Sequence, residues 1–174
     1  MKKQLRLSGS GGQGVITAAI ILAEASVMEG KEVVQSQSYG PEARGGASKS
    51  EVIIDDKQIQ HPHVKNPDVV LAMTQKSADK YSKDITKKGL LILDRDLVPD
   101  VPKDVENVIQ VPITKLAVEK LGKSLYANIV ALGLVTKLTG LVALDTVKKC
   151  VARRVPEHTV EKNMKALQIG YNAV

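Results

Sequence analysis

Near the start of the chain, Gly9-Ser10-Gly11-Gly12-Gln13-Gly14 has the spacing G-x-G-x-x-G. Glycines at such a turn permit positive φ and close approach, and the N–H groups that open a following helix can hold a phosphate or carboxylate. The same residues also suit a tight turn that only packs a helix against a sheet, and the pattern alone does not choose between the two. A dinucleotide site of the usual kind adds an acidic residue at the end of the second strand, where it accepts hydrogen bonds from ribose hydroxyls. That position holds Gln35 or Ser36, and Glu32 stands at the wrong end of the strand, so a ligand other than NAD is favoured.

A second cluster of unusual composition is Ser38-Tyr39-Gly40-Pro41-Glu42-Ala43-Arg44-Gly45-Gly46-Ala47. Both clusters follow the C-terminal ends of strands, so they leave the same edge of a sheet and can share one crevice. Arg44 supplies a planar, multi-donor cation, Glu42 a partner for it, and Tyr39 an aromatic face with a hydroxyl; Gly40, Gly45 and Gly46 leave room for close approach. The competing reading is a rigid surface turn with a local Glu–Arg pair. Other candidates weigh less. His61 and His63 lack a third metal ligand nearby. Asp94 and Asp96 end a buried strand, where caps and solvated carboxylates are commoner than magnesium ligands. Cys150 lies in a helical, apolar-spaced stretch that suits a buried thiol. Asn128, inside an apolar helix, is expected to bond backbone or a partner subunit and receives no catalytic role.

The elements that must position these clusters follow from periodicity. Gln4 to Ser8 alternates polar and apolar residues, and Val15 to Met28 is apolar with helix formers. Gly30 fits just beyond that helix, and Glu32 to Ser36 reads as a second strand, giving a βαβ unit with a right-handed crossover. Ser48 to Ile54 is β-like, and Asp55-Asp56 is expected to turn it into Lys57-Gln58-Ile59 as an edge hairpin. Asp68 to Met73 and Gly89 to Asp94 are short apolar runs suited to strands buried on both faces, with a short helix over 75–82 between them. Asn107 to Val111 reads as a further strand. Helices follow near Ile113 to Leu121, Leu125 to Leu138, Asp145 to Val151 and Val160 to Gly170, with Gly122 and Gly140 marking breaks. The expectation is an α/β fold: a three-layer, doubly wound, mostly parallel, Rossmann-like sheet with a helical C-terminal part, in one domain spanning residues 1–174.

Composition narrows the function classes. The chain has one cysteine, which excludes an internal disulfide and an iron–sulfur cluster ligated by this chain alone. Phe and Trp are absent, so the core must be aliphatic, and stacking on nucleic-acid bases is nearly unavailable. The formal net charge of +6 suits an acidic protein or phosphate partner, or simply a solvated lysine-rich surface. No apolar run is long enough to span a bilayer, and the first residues lead into a strand rather than an export signal; a soluble, cytoplasmic protein is expected.

Two segments resemble the gamma subunit, or fused gamma domain, of 2-oxoacid:acceptor oxidoreductases. They are Arg6 to Gly14 continuing into Ile21-Leu22-Ala23-Glu24-Ala25, and Gln37 to Val52. Weaker similarity runs through Pro67 to Leu71, Val111-Pro112, Ala127 to Gly133 and Asn163 to Tyr171, covering essentially the whole chain. The resemblance implies a multi-subunit enzyme that decarboxylates a 2-oxoacid on thiamine diphosphate, passes electrons through iron–sulfur clusters to ferredoxin and delivers the acyl group to coenzyme A. Partner subunits (alpha, beta and a ferredoxin-like delta) would hold the thiamine diphosphate, magnesium and clusters, with no cofactor bound by this chain alone. The chain itself lacks a G-D-G motif with downstream Asn ligands for magnesium. It would then line the active-site side of an interface through Gly9, Gly11, Gly12, Gln13 and Gly14 and through Tyr39, Gly40, Glu42, Arg44, Gly45 and Gly46. The form Tyr-Gly-Pro-Glu-Ala-Arg-Gly-Gly is similar to the 2-oxoglutarate branch; the pyruvate branch has Phe-Gly-Pro-Glu-Arg-Arg-Gly-Ala. An indolepyruvate-type small subunit and a free-standing nucleotide-binding regulatory module are the alternatives, and a homodimer of the isolated chain is left open.

Overall fold

The computed structural model describes residues 1–38 and 46–174. Within them the order is β1 (Lys3–Ser10), α1 (Val15–Met28), β2 (Glu32–Ser38), β3 (Ala47–Asp55), β4 (Val69–Ala72), α2 (Gln75–Tyr81), β5 (Leu90–Asp94), β6 (Asn107–Val111), α3 (Ile113–Leu121), α4 (Ala127–Thr139), α5 (Leu144–Arg154) and α6 (Val160–Tyr171). Short 3-10 turns at Ser124–Tyr126 and Glu157–Thr159 lead into α4 and α6. The sheet order is β2-β3-β1-β4-β5-β6. β1, β4, β5 and β6 pair in parallel, with Leu5 opposite Val69 and Val69 opposite Leu90, while β3 runs antiparallel to both β1 and β2.

Helices cover both faces unequally. Leu5, Leu7, Val52, Ile54 and Leu71 point into one large aliphatic cluster shared with α1, α3, α4, α5 and α6. On the other face Val70, Ala72, Leu91 and Leu93 meet Ala78 of α2 and Val98 in a smaller one. This is the expected three-layer, mostly parallel α/β sheet with its helical C-terminal part. Gly122 and Gly140 end α3 and α4 in the left-handed region, at φ 82° and 59°, where glycine carries no Cβ penalty.

The crossover and the hairpin fare differently. β2 runs parallel to β1, as the expected crossover requires, with β3 inserted between them. The expected edge hairpin is absent, because Val52, Ile53 and Ile54 are buried on both faces, as an interior strand demands. Lys57 and Gln58 are exposed and lie outside any strand.

The α4–α6 crossing depends on missing side chains. A Cβ on Gly170 would strike the Val130 carbonyl, and one on Gly133 would strike the Leu167 carbonyl, so the two backbones touch directly. Sequence reading treated glycines as breaks between helices and gave these two no packing role.

Candidate functional site

The glycine turn links the C-terminal end of β1 to the start of α1. Gly12 and Gly14 have φ of 91° and 75°, and Gly14 is the N-cap of α1. The two serve different ends. No described residue lies within 4 Å of a Cβ built on Gly12, so its need is conformational, whereas a Cβ on Gly14 would sit 2.5 Å from Asn128 Nδ2. Gly9 accommodates the Gln13 side chain, whose Oε1 folds back to accept from the Ser10 N–H at 2.7 Å. Gln13 therefore braces the turn from inside. The Gln13 N–H also bonds the Ser10 carbonyl at 3.2 Å.

Asn128 ties the turn to the C-terminal helices. Its Nδ2 donates to the Gly14 carbonyl at 3.2 Å, and its Oδ1 accepts from the Ile129 N–H at 3.0 Å. The expectation that Asn128 bonds backbone is met, although the partner lies 114 positions away in sequence.

Beside this turn is a cavity of about 510 Å³. Gly12, Gln13, Gly14 and Thr17 form one wall, Thr114 another, and Ser124, Leu125, Ala127 and Asn128 a third. The first turns of α1, α3 and the 3-10 turn leading into α4 thus converge, and helix N-termini carry partial positive charge. The described lining holds hydroxyls and amides but no ionisable side chain. Thr114 is fixed from behind by fully buried Asp94, which accepts from the Thr114 N–H at 2.9 Å and from its hydroxyl at 2.6 Å. Asp94 thus satisfies an N–H in the first turn of α3 from outside the helix, whose N-cap residue is Pro112. Thr114, Ser124 and Leu125 were not singled out in the sequence, since no local pattern marks a residue whose importance comes from helix convergence.

The second cluster is reached at one end. Gly46 is buried, and its carbonyl accepts from the Gly11 N–H at 3.2 Å, next to the paired residues Ser10 and Ala47. Gly9, Gly11, Gly12, Gln13, Gly14 and Gly46 are therefore brought together. Tyr39, Gly40, Glu42, Arg44 and Gly45 lie outside the described residues. Glu32 pairs with Asp55 at the opposite end of the sheet, far in register from Ser10.

On the α2 face lies a charged cluster that sequence reading missed. Arg6, 4% exposed, donates from Nε to Glu51 at 2.8 Å, from both terminal nitrogens to Asp84, and to the Tyr81 carbonyl at 3.0 Å. Lys49 Nζ joins the same Glu51 oxygen at 2.9 Å. Burial pulls the Arg6 pKa down, but Asp84 and Glu51 outweigh it and hold the guanidinium above its ordinary value. The cluster pins α2 to β1 and β3. Only the alternation of Arg6 with Leu5 and Leu7 hinted at its direction.

Cys150 is buried with Sγ 3.3 Å from Met28 Sδ, and burial first, then Glu24, push its thiol above the ordinary value. It is buried, as expected of a structural thiol. Among the described residues no group of three or more His, Cys, Asp or Glu could hold a metal ion, and no helix is long and apolar enough to cross a membrane.

The pyruvate ferredoxin/flavodoxin oxidoreductase family matches residues 4–173. The chain belongs to this family. It is 45% identical to the 2-oxoglutarate synthase subunit KorC of Methanocaldococcus jannaschii over 98% of this chain and 93% of that one. The crystal structure of a keto/oxoacid ferredoxin oxidoreductase gamma subunit from Geobacter sulfurreducens superposes with a TM-score of 0.91 at 45% identity, covering 99% of this chain and 96% of that one. The fold recurs in the 2-oxoglutarate:ferredoxin oxidoreductase of Magnetococcus marinus, solved with 2-oxoglutarate, coenzyme A and succinyl-CoA bound. There the TM-score is 0.87 at 22% identity, over 98% of this chain and 30% of that one.

Proposed function

We infer that the chain is the gamma-type subunit of a 2-oxoglutarate:ferredoxin oxidoreductase, supporting oxidative decarboxylation of the 2-oxoacid to acyl-CoA and CO2 with reduction of ferredoxin. The observation that carries this is the 45% identity to KorC along nearly the full length of both chains. Thiamine diphosphate, magnesium and iron–sulfur clusters belong on alpha, beta and ferredoxin-like delta partners in the cytoplasm, with coenzyme A as cosubstrate. This chain's own contribution is a shaped wall. Gln13 and Asn128 hold the glycine turn, the starts of α1 and of the turn leading into α4 present N–H groups and hydroxyls beside Thr114, and Arg44 steers an anionic group of the 2-oxoacid, coenzyme A or thiamine diphosphate.

Reconstitution tests the reading. The purified chain is expected to be colourless and inactive, and the complex assembled with its partners to reduce ferredoxin only when this chain is present. Turnover of 2-oxoglutarate by the chain alone, or full turnover by a complex lacking it, would refute the assignment. Within that complex, Arg44→Lys keeps charge but loses planar geometry, for an expected loss of about 1.5 to 3 kcal/mol in binding or turnover. An Arg44→Ala complex of normal size and full activity would reduce the segment to a structural turn.

A further inference from the structure

The charged cluster on the α2 face reaches beyond the contacts that pin α2. β1 and β3 pair antiparallel, and residues two apart share a face, so the opposed pairs Arg6–Glu51, Ser8–Lys49 and Ser10–Ala47 climb one face of the sheet toward the glycine turn. Tyr81, the last residue of α2 and buried, lies along that ladder. Its carbonyl accepts from Arg6 at 3.0 Å, its ring centroid stands 5.7 Å from Lys49 Nζ, and its hydroxyl donates to the Ala47 carbonyl at 3.3 Å. Ala47 follows Gly46 directly, and the Gly46 carbonyl accepts from the Gly11 N–H at 3.2 Å. One residue thus connects the buried guanidinium to the approach of the glycine turn.

We propose that Tyr81 is a positioning residue for the oxidoreductase reaction: its hydroxyl holds the first residue of β3 and, through Gly46, sets the place of Gly11 in the glycine turn. The inference rests on the reading of the chain as an oxidoreductase subunit whose glycine turn walls the ligand site. Stability alone accounts poorly for the arrangement. Taking Arg6 and Glu51 out of water offsets much of what their attraction returns, and apolar residues of similar volume would join α2 to the strands at least as well. What fixed donors and acceptors add is a defined position. Tyrosine suits this, because a buried ring packs as a core residue while the hydroxyl at its far end finds a polar partner.

Tyr81→Phe in the reconstituted complex removes the hydroxyl and keeps the ring, its packing and both cations over it, since Lys80 Nζ stands 5.3 Å from the same centroid. Loss of one such bond is expected to raise KM for 2-oxoglutarate or coenzyme A about three- to tenfold, with kcat within about twofold of wild type. A variant that merely folds less well shows the opposite split, a kcat lowered in proportion to the active enzyme lost and an unchanged KM. That split, wild-type values of both constants, or failure of Tyr81→Phe to assemble overturns the proposal. Lys80→Met takes an exposed cation from beside the ring and leaves the hydroxyl, so KM within about twofold of wild type is expected. A rise equal to that of Tyr81→Phe would assign the effect to the charge around the ring and overturn the proposal too. No turnover by the wild-type complex refutes the subunit reading itself; an active wild-type complex that Tyr81→Phe matches defeats the positioning role alone.

Discussion

The joint between the glycine turn and α4 makes a quantitative demand on Gly14 and Asn128. Gly14→Ala places a methyl in the left-handed region at φ 75°, costing about 1 to 2 kcal/mol. The methyl would also lie 2.5 Å from Asn128 Nδ2 and 2.9 Å from its Cγ, so the amide must withdraw and give up its bond to the Gly14 carbonyl. Losing that bond costs about 0.5 to 1.5 kcal/mol, for a total of about 1.5 to 3.5 kcal/mol. Asn128→Ala alone escapes the backbone strain but loses that bond and the one its Oδ1 accepts from the Ile129 N–H, while the Gly14 carbonyl keeps the Ala18 N–H at 3.2 Å. The double variant loses the bond once, so its cost falls short of the sum by about 1 kcal/mol. Urea unfolding of the four proteins, followed by circular dichroism, measures this directly. Additivity within about 0.5 kcal/mol would mean that the two residues do not meet, and the cavity wall built on their contact would be wrong. Gly12→Ala, with open space around it, is the reference that reports conformational strain alone.

Gly170→Ala should cost about 3 kcal/mol, at the upper end for overpacking, because its methyl meets the Val130 carbonyl rather than a movable side chain; a midpoint within a degree of wild type would contradict the α4–α6 contact. Arg6→Met leaves Glu51 and Asp84 without their main cation and should destabilise by about 3 kcal/mol, less whatever Lys49 recovers, again read by urea unfolding. Cys150 has a raised pKa in the folded chain, so the unfolded chain loses the thiol proton first. Stability should therefore fall as pH rises through the ordinary thiol value, relative to Cys150→Ala, and alkylation of the folded protein at mildly alkaline pH should be slow. Equal pH dependence of the two proteins would refute that shift.

Much of the fold was legible because the runs that build it are long or strongly patterned. Val69 to Ala72 and Leu90 to Asp94 are continuous apolar segments of strand length, and β6 and α3 match their expected bounds. What failed was non-local. Val52-Ile53-Ile54 reads as a strand from either edge or interior, and only its pairing with both β1 and β2 decides, a fact no window around residue 52 contains. The site divides in the same way. Glycines at 12 and 14 announce their conformation through spacing, but the contacts that give the turn its shape come from Gln13, folded back locally, and from Asn128, which arrives through the packing of α4. Thr114 owes its place to Asp94, twenty positions earlier.

Topology also connects the edge strand to the family motif. β2 pairs continuously from Glu32 to Ser38, and the next residue is Tyr39, so whatever fixes β2 fixes the point from which Tyr39 to Gly45 departs. At its other end that segment is anchored by the Gly46 carbonyl on the Gly11 N–H, within the glycine turn itself. If Arg44 holds a ligand in the assembled complex, ligand binding and assembly are linked, and each must strengthen the other by the same factor. The measurable consequence is reciprocal: saturating 2-oxoacid and coenzyme A should tighten assembly of the wild-type complex and do so much less for Arg44→Ala. Equal tightening in both would place the coupling outside this segment.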